Sequence, residues 1–118
     1  MIDLEKLSQS HKELFPNATA ESQFVKMEEE IQEFYSAQTH EQAIKELADI
    51  WIVCAGLYRF YPRTANSILD CYSGVYIDEE YGRTPIETEV NRKWQVNLGR
   101  KWEWNGKTYK HVGKDGNE

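Results

Sequence analysis

Cysteine is scarce in this chain: there are two, Cys54 and Cys71, alongside three histidines. None shows zinc-ligand spacing, which excludes a Cys/His zinc site. Cys54 sits in an apolar run and reads as a small core residue. No apolar run reaches membrane-spanning length. Met1-Ile2-Asp3-Leu4-Glu5 lacks the features of a secretory signal. The expectation is a cytoplasmic protein with no membrane association, in which a Cys54–Cys71 disulfide would be out of place. The Gly-x-x-x-x-Gly-Lys-Ser/Thr loop is missing, which excludes a Walker-type nucleotide site. Gly-x-Ser-x-Gly is missing too, as are repeats and low-complexity segments.

What is present describes one folded domain, residues 1–118. Apolar residues make up 40% and aromatics 13%, a globular composition rather than a disordered one. A chain this short buries only a modest core, so self-association would add stability. Charge is unevenly placed. Residues 1–91 hold seven basic and 17 acidic residues, whereas residues 92–118 hold seven basic and three acidic. The acidic body argues against general nucleic-acid binding. The basic end can still meet a phosphate-bearing ligand locally, against the plainer alternative of a solubility role.

The periodicity predicts an all-α bundle of four to five helices, with a possible small C-terminal hairpin. Leu4, Leu7, His11 and Leu14 mark a first helix over residues 3–14. Pro16-Asn17 interrupts it, and Thr19 begins a cap for a second helix that runs to Ala37. Its apolar stripe is Phe24, Met27, Ile31 and Phe34. Thr39 caps a third helix from His40 to Tyr61, nearly apolar all round from Leu47 to Leu57 and therefore central. Pro62 ends it. Residues 62–84 are the least legible stretch, with a helix expected over Ala65–Tyr76. A further helix is expected from Pro85 to Trp102, with Ile86, Val90, Trp94 and Leu98 facing inward. Asn105-Gly106 reads as a tight turn between Trp102–Trp104 and Thr108–Val112. The tail Gly113–Glu118 is expected to fray.

Two carboxylate motifs carry the chemistry. The second helix holds Glu29-Glu30-Ile31-Gln32-Glu33, and the third holds Glu46-Leu47-Ala48-Asp49. Carboxylates three apart project from one helix face. The twelve residues between Glu33 and Glu46 allow a turn between antiparallel helices. On a helical wheel, Gln23, Lys26, Glu30 and Glu33 share a flank beside the apolar stripe. Glu28 falls on the opposite flank and Glu29 near the back. Asp49 lies inside an almost unbroken apolar run, where an unpaired carboxylate costs several kcal/mol. It needs a cation, a basic side chain or a proton. A divalent metal would relieve both that burial and the mutual repulsion of Glu30, Glu33, Glu46 and Asp49. Oxygen-only donors suit magnesium, manganese or calcium.

These motifs resemble the all-α nucleotide pyrophosphohydrolases of the MazG type, whose hallmark is Glu-x-x-Glu, a helix connection, then Glu-x-x-Asp. The stretch Gln23 to Phe34 is similar to that family's first metal helix, and Lys45 to Ile50 to its second. Lys93-Trp94-Gln95-Val96-Asn97-Leu98-Gly99-Arg100-Lys101-Trp102 resembles a Lys-x-x-x-Asn-x-x-Arg-x-Trp helix end of phage-like members. The resemblance spans Ser22 to Trp102. It implies a homodimer or tetramer. It also implies magnesium-dependent cleavage of nucleoside triphosphates between the α and β phosphates, with manganese a substitute. Glu30, Glu33, Glu46 and Asp49 would be the ligands, and Glu29 would orient water or a second metal. Arg59 to Thr84 departs from the family's shorter connection.

The remaining candidates each have two readings. Lys93, Asn97 and Arg100 can share one helix face toward a substrate, or form a solvated face. Lys26 suits a phosphate contact or an ion pair with Glu30 or Glu33. Trp51 and Trp102 offer faces for a base or belong to the core, and Trp102 is carried as a substrate contact. His11 and His40 read as structural or exposed. Arg59 is a cation near the site or a subunit contact. The rival to hydrolysis is a helical module that binds nucleotide or a partner without turnover.

Overall fold

The computed structural model describes residues 2–74, 82 and 84–112. Five helices come first: α1 (Leu4–Leu14), α2 (Ala20–Tyr35), α3 (His40–Tyr58), α4 (Pro62–Ser73) and α5 (Thr84–Gly99). A hairpin of β1 (Lys101–Trp104) and β2 (Tyr109–Val112) follows. The expected all-α bundle with a C-terminal hairpin is what the chain forms. No helix among the described residues is long and apolar enough to cross a membrane.

Local chemistry sets the starts of the first three helices. Asp3 Oδ1 accepts the backbone N–H groups of Glu5 and Lys6 at 3.0 and 3.2 Å. Thr19 and Ser22 form a reciprocal capping box, Ser22 N–H to Thr19 Oγ1 at 3.0 Å and Thr19 N–H to Ser22 Oγ at 2.9 Å. Thr39 Oγ1 accepts the Gln42 N–H at 3.0 Å. Such caps contribute about 1 kcal/mol each.

The ends differ from expectation, and proline explains the first difference. The third helix stops at Tyr58 rather than Tyr61: the Phe60 and Tyr61 N–H groups both close on Leu57 O, at 3.0 and 2.9 Å, and Tyr61, which precedes proline, avoids the helical region. Tyr61 is accordingly non-helical, with φ −138° and ψ 75°. Pro62 not only ends α3 but opens α4 as its first residue. That helix therefore runs Pro62–Ser73 rather than Ala65–Tyr76. Tyr76 and the tail Gly113–Glu118 lie outside the described residues.

The last helix ends at Gly99, not Trp102. There the Arg100 N–H turns back to Asn97 O at 3.2 Å, and Trp102 Nε1–H donates to the same carbonyl at 3.0 Å. Trp102 thus belongs to the first hairpin strand and staples it to the helix end. Ile86, Val90 and Trp94 are buried as expected, but Leu98 is 45% exposed. A strict four-residue spacing precesses by about 40° per step, so the fourth member leaves the buried face.

Asn105 holds the hairpin turn by accepting Lys107 N–H and Thr108 N–H, both at 2.9 Å. Gly106 supplies the required positive φ of 94°. The hairpin docks on the α1–α2 connection, with Phe15 ring centroids 5.0 Å from Trp102 and 4.9 Å from Tyr109. Asn17 N–H donates to Tyr109 Oη at 2.9 Å.

Helix α3 is the hub. Eleven of its 19 residues are buried, and it packs against each of the other four helices. Cys54 is buried within it, and both cysteines are free thiols. Arg59, just beyond it, donates to Pro16 O and Ala18 O at 3.2 and 2.6 Å, tying down the α1–α2 connection. Helix α2 meets the hub through Met27 and Phe34, but the expected Phe24 is 44% exposed and Gln23 is buried in its place. The reason is Gly56. A Cβ there would overlap Gln23 Oε1 and lie 2.6 Å from His11 Cε1, so the bare glycine lets both polar side chains rest on the α3 backbone. Phe24 is left to pair with Tyr61 at 5.9 Å on the surface.

Gly56→Ala should therefore destabilise the fold by about 1–3 kcal/mol, the usual cost of overpacking. This should outweigh the gain of about 1 kcal/mol in helix propensity. A chemical-denaturation midpoint at or above that of the unmodified protein would contradict the close approach.

Candidate metal centre

Packing α2 against α3 brings the two carboxylate motifs together. One oxygen from each of Glu30, Glu33, Glu46 and Asp49 lies within 4.8 Å of every other. Glu33 is exposed and the other three are half-buried. Glu29 lies outside the cluster, exposed, with its carboxylate 3.6 Å from Lys26 Nζ. Lys26 thus pairs with Glu29, not with Glu30 or Glu33.

Like charges and burial act in the same direction here. Burial, then the charges of Asp49 and Glu33, push the Glu30 carboxyl up to about 8. Burial, then a hydrogen bond with Glu33 and the Asp49 charge, push Glu46 to about 7. Glu30 Oε2 and Glu46 Oε2 are buried with no hydrogen-bond partner. Asp49 is also raised by burial, but Lys93 opposes the shift. Lys93 Nζ donates to Asp49 Oδ2 at 2.7 Å. Of the three forms of relief that Asp49 needs, this structure supplies the basic side chain.

Helix α5 positions that lysine. Lys93 and Asn97 sit one turn apart on it, and Arg100 follows just beyond its end. Arg92 was not singled out from sequence. It grips Glu89 through Nε at 2.8 Å to Oε1 and Nη2 at 2.7 Å to Oε2. Arg92, Lys93, Asn97 and Arg100 line a cavity of about 280 Å³ against Asp49, so three of the basic residues after residue 91 face one member of the acidic cluster. A second cavity of about 230 Å³ reaches Lys26, Glu30 and Asp49 from the hairpin side, past Asn97, Arg100 and Trp102. A larger groove of about 670 Å³ runs between α1 and α5 but shares no residue with the carboxylates.

Trp51 is core, 3% exposed. His40 is exposed, whereas His11 is buried and lines the hairpin-side cavity. Gln23 lines it as well, and sequence placed it only on the flank of α2. The wheel already set Gln23 on the flank of Lys26 and Glu30, which line this cavity with it, but nothing local marks His11 as a cavity wall, because the close approach at Gly56 is tertiary.

The donor set fits a hard divalent cation. It offers carboxylate oxygens from two helices, two of them buried without partners, and no sulfur or imidazole. Searches against family models, curated proteins and solved structures find no match to this chain.

The raised carboxyls predict a pH signature. Glu30 and Glu46 bind protons more tightly folded than unfolded. Their contribution to stability is present below the ordinary carboxyl value near 4.5 and is lost as pH rises through 7 and 8. In metal-free protein, Glu30→Gln should melt progressively higher than the unmodified chain between about pH 5 and pH 8. Added magnesium should narrow the gap. A melting-temperature difference that does not change with pH would refute the coupling.

Proposed function

We propose that this chain is a magnesium-dependent pyrophosphohydrolase of the MazG type. It would cleave nucleoside triphosphates between the α and β phosphates to give a monophosphate and pyrophosphate. The observation that carries this reading is the cluster of four carboxylate oxygens within 4.8 Å, facing a cavity lined by cations. An acidic cluster repels a triphosphate, and a basic cavity alone has no use for four carboxylates. The two together suit a phosphate chain bound with a divalent ion.

In this reading Glu30, Glu33, Glu46 and Asp49 hold the ion. Magnesium, or manganese in its place, offsets phosphate charge and makes an attacking water more acidic. The chain's own groups do the rest. Lys93 and Arg100 steady phosphate oxygens, and Asn97 hydrogen-bonds sugar or phosphate. Lys26 supplies a further cation at the cavity mouth, and Trp102 bounds the substrate. A carboxylate of the cluster takes the water's proton, and pyrophosphate leaves in line. Glu29, held by Lys26, is left a supporting role at most. Deoxynucleotides or non-canonical nucleotides are the proposed substrates, in a cytoplasmic house-cleaning setting. Homo-oligomerisation belongs to the same reading, supported by the exposed Phe24 and Tyr61 rings.

One observation favours a non-catalytic nucleotide- or partner-binding module instead. Lys93 already neutralises Asp49 without any metal.

A nucleotide panel assayed with and without magnesium, following monophosphate and pyrophosphate, decides between them. Turnover should require the metal and stop with a chelator. Asp49→Asn, with its fold checked by circular dichroism, should lower the rate roughly 10²–10³-fold. No metal-dependent turnover at high protein concentration, with nucleotide still bound, selects the binding module.

A further inference from the structure

The cavity on the hairpin side of the carboxylates has an unusual floor. Three polar side chains there are almost wholly buried: Ser22, which is taken up by the α2 capping box, and His11 and Gln23, at 4% and 6% exposure. His11 and Gln23 come from α1 and α2 and meet over Gly56 of α3. Leucine or methionine would fill such positions with no polar group to desolvate. Nor do the two residues satisfy each other. His11 Nδ1 is buried without a partner. The one hydrogen bond from the Gln23 side chain, among the described residues, is a long one from Nε2 to Ser22 Oγ at 3.4 Å. Gln23 Oε1 accepts no hydrogen bond among the described residues, and a ligand that pairs with such a group removes the cost of leaving it unmet.

The chemistry of the floor restricts that ligand. The amide is neutral, and burial, aided by the nearby Arg59 charge, keeps the imidazole neutral with a pKa of about 3. Neutral groups offering both donors and acceptors do not select phosphate. They complement the polar edge of an uncharged ring. Phe15, Trp102 and Tyr109 line the same cavity and supply aromatic wall. At about 230 Å³ it is smaller than the ~300–1,000 Å³ typical for drug-sized ligands. One heterocycle fits that space better than a whole nucleotide. Glu30 and Asp49 border the cavity, so the remainder of such a ligand would emerge at the carboxylates.

The geometry points to His11 and Gln23 as the residues that read the hydrogen-bonding edge of a nucleobase, with the β1–β2 hairpin closing the pocket around it. The identification of the ring as a nucleobase rests on the nucleotide reading of the carboxylates. The binding of a neutral planar ring does not.

Nucleosides without phosphate, titrated into metal-free protein, separate the two. The probes are cytidine, thymidine, adenosine and guanosine, followed by the NMR shifts of the Gln23 side-chain amide and the Trp102 indole. At least one should bind. Gln23→Met, which keeps length and packing, should weaken it about tenfold or more. His11→Phe should do the same, and Gln23→Met keeps the test decisive if that variant does not fold. In turnover assays Gln23→Met should raise KM and alter the ranking of bases more than it alters kcat. Nucleoside binding without any hydrolysis would overturn the proposed reaction and support this pocket. Hydrolysis with no nucleoside binding, or binding indifferent to Gln23→Met, would overturn the pocket and leave the reaction standing.

Discussion

Lys93 reaches from α5 to Asp49 on α3 at 2.7 Å, and much of the site follows from that ion pair. A partly buried pair is not in itself strong evidence of stability, since desolvation offsets the attraction. Removing one partner is a different matter, because the other charge is then stranded. The pair therefore acts as an orientation device. With Lys93 turned toward α3, Asn97 follows one turn later and Arg100 just after the helix end. The Asn97 carbonyl receives the Trp102 indole, and the hairpin begins where that bond holds it. A contact between two charged side chains thus fixes one wall of each cavity beside the carboxylates.

The same pair joins the acidic body of the chain to its basic end. Neutralising Asp49 leaves Glu30, Glu33 and Glu46 crowded without a comparable partner. The raised Glu30 and Glu46 carboxyls are the response of those groups to each other and to burial. The cations that could relieve them lie mostly after residue 91, and the fold returns Arg92, Lys93 and Arg100 to this face. Three of the seven basic residues after residue 91 thus line a cavity against Asp49.

What could be read from sequence was what local chemistry determines. Thr19 and Thr39 announce their helices because a cap acts within three residues. Glu30 with Glu33, and Glu46 with Asp49, declare a shared face because their spacing is helical. The apolar run from Leu47 to Leu57 marks the central helix because no other position could bury it. Features set by contact between distant elements stayed hidden. The contact of Lys93 with Asp49 stayed hidden, since nothing near the lysine in sequence indicates Asp49. Phe24 read as core because the wheel cannot know that Gly56 admits Gln23 instead. Arg59 read as a site or subunit cation, whereas its guanidinium serves the carbonyls of Pro16 and Ala18. The helix ends at Tyr58 and Gly99 were displaced by a preproline residue and by a tryptophan that captures a carbonyl.

Helix α3 has to satisfy two opposed demands. Its apolar surface drives it into the centre, where every other helix packs on it, yet it carries Glu46 and Asp49, whose charge resists burial. The conflict is resolved by position on the helix. Glu46 and Asp49 lie on the edge facing the α2 seam and the α5 lysine, while Ile50, Cys54 and Leu57 occupy the enclosed sides. Farther along, Gly56 opens the same helix to two uncharged polar groups that an apolar side chain would have displaced. The hub is therefore polar at two places on one side, charged near its start and neutral near its end. A ligand bridging both would need an anionic part for the first, through a cation, and an uncharged hydrogen-bonding ring for the second. A nucleotide joins those two chemistries in one molecule, and this pairing on α3 favours it over a simple phosphate.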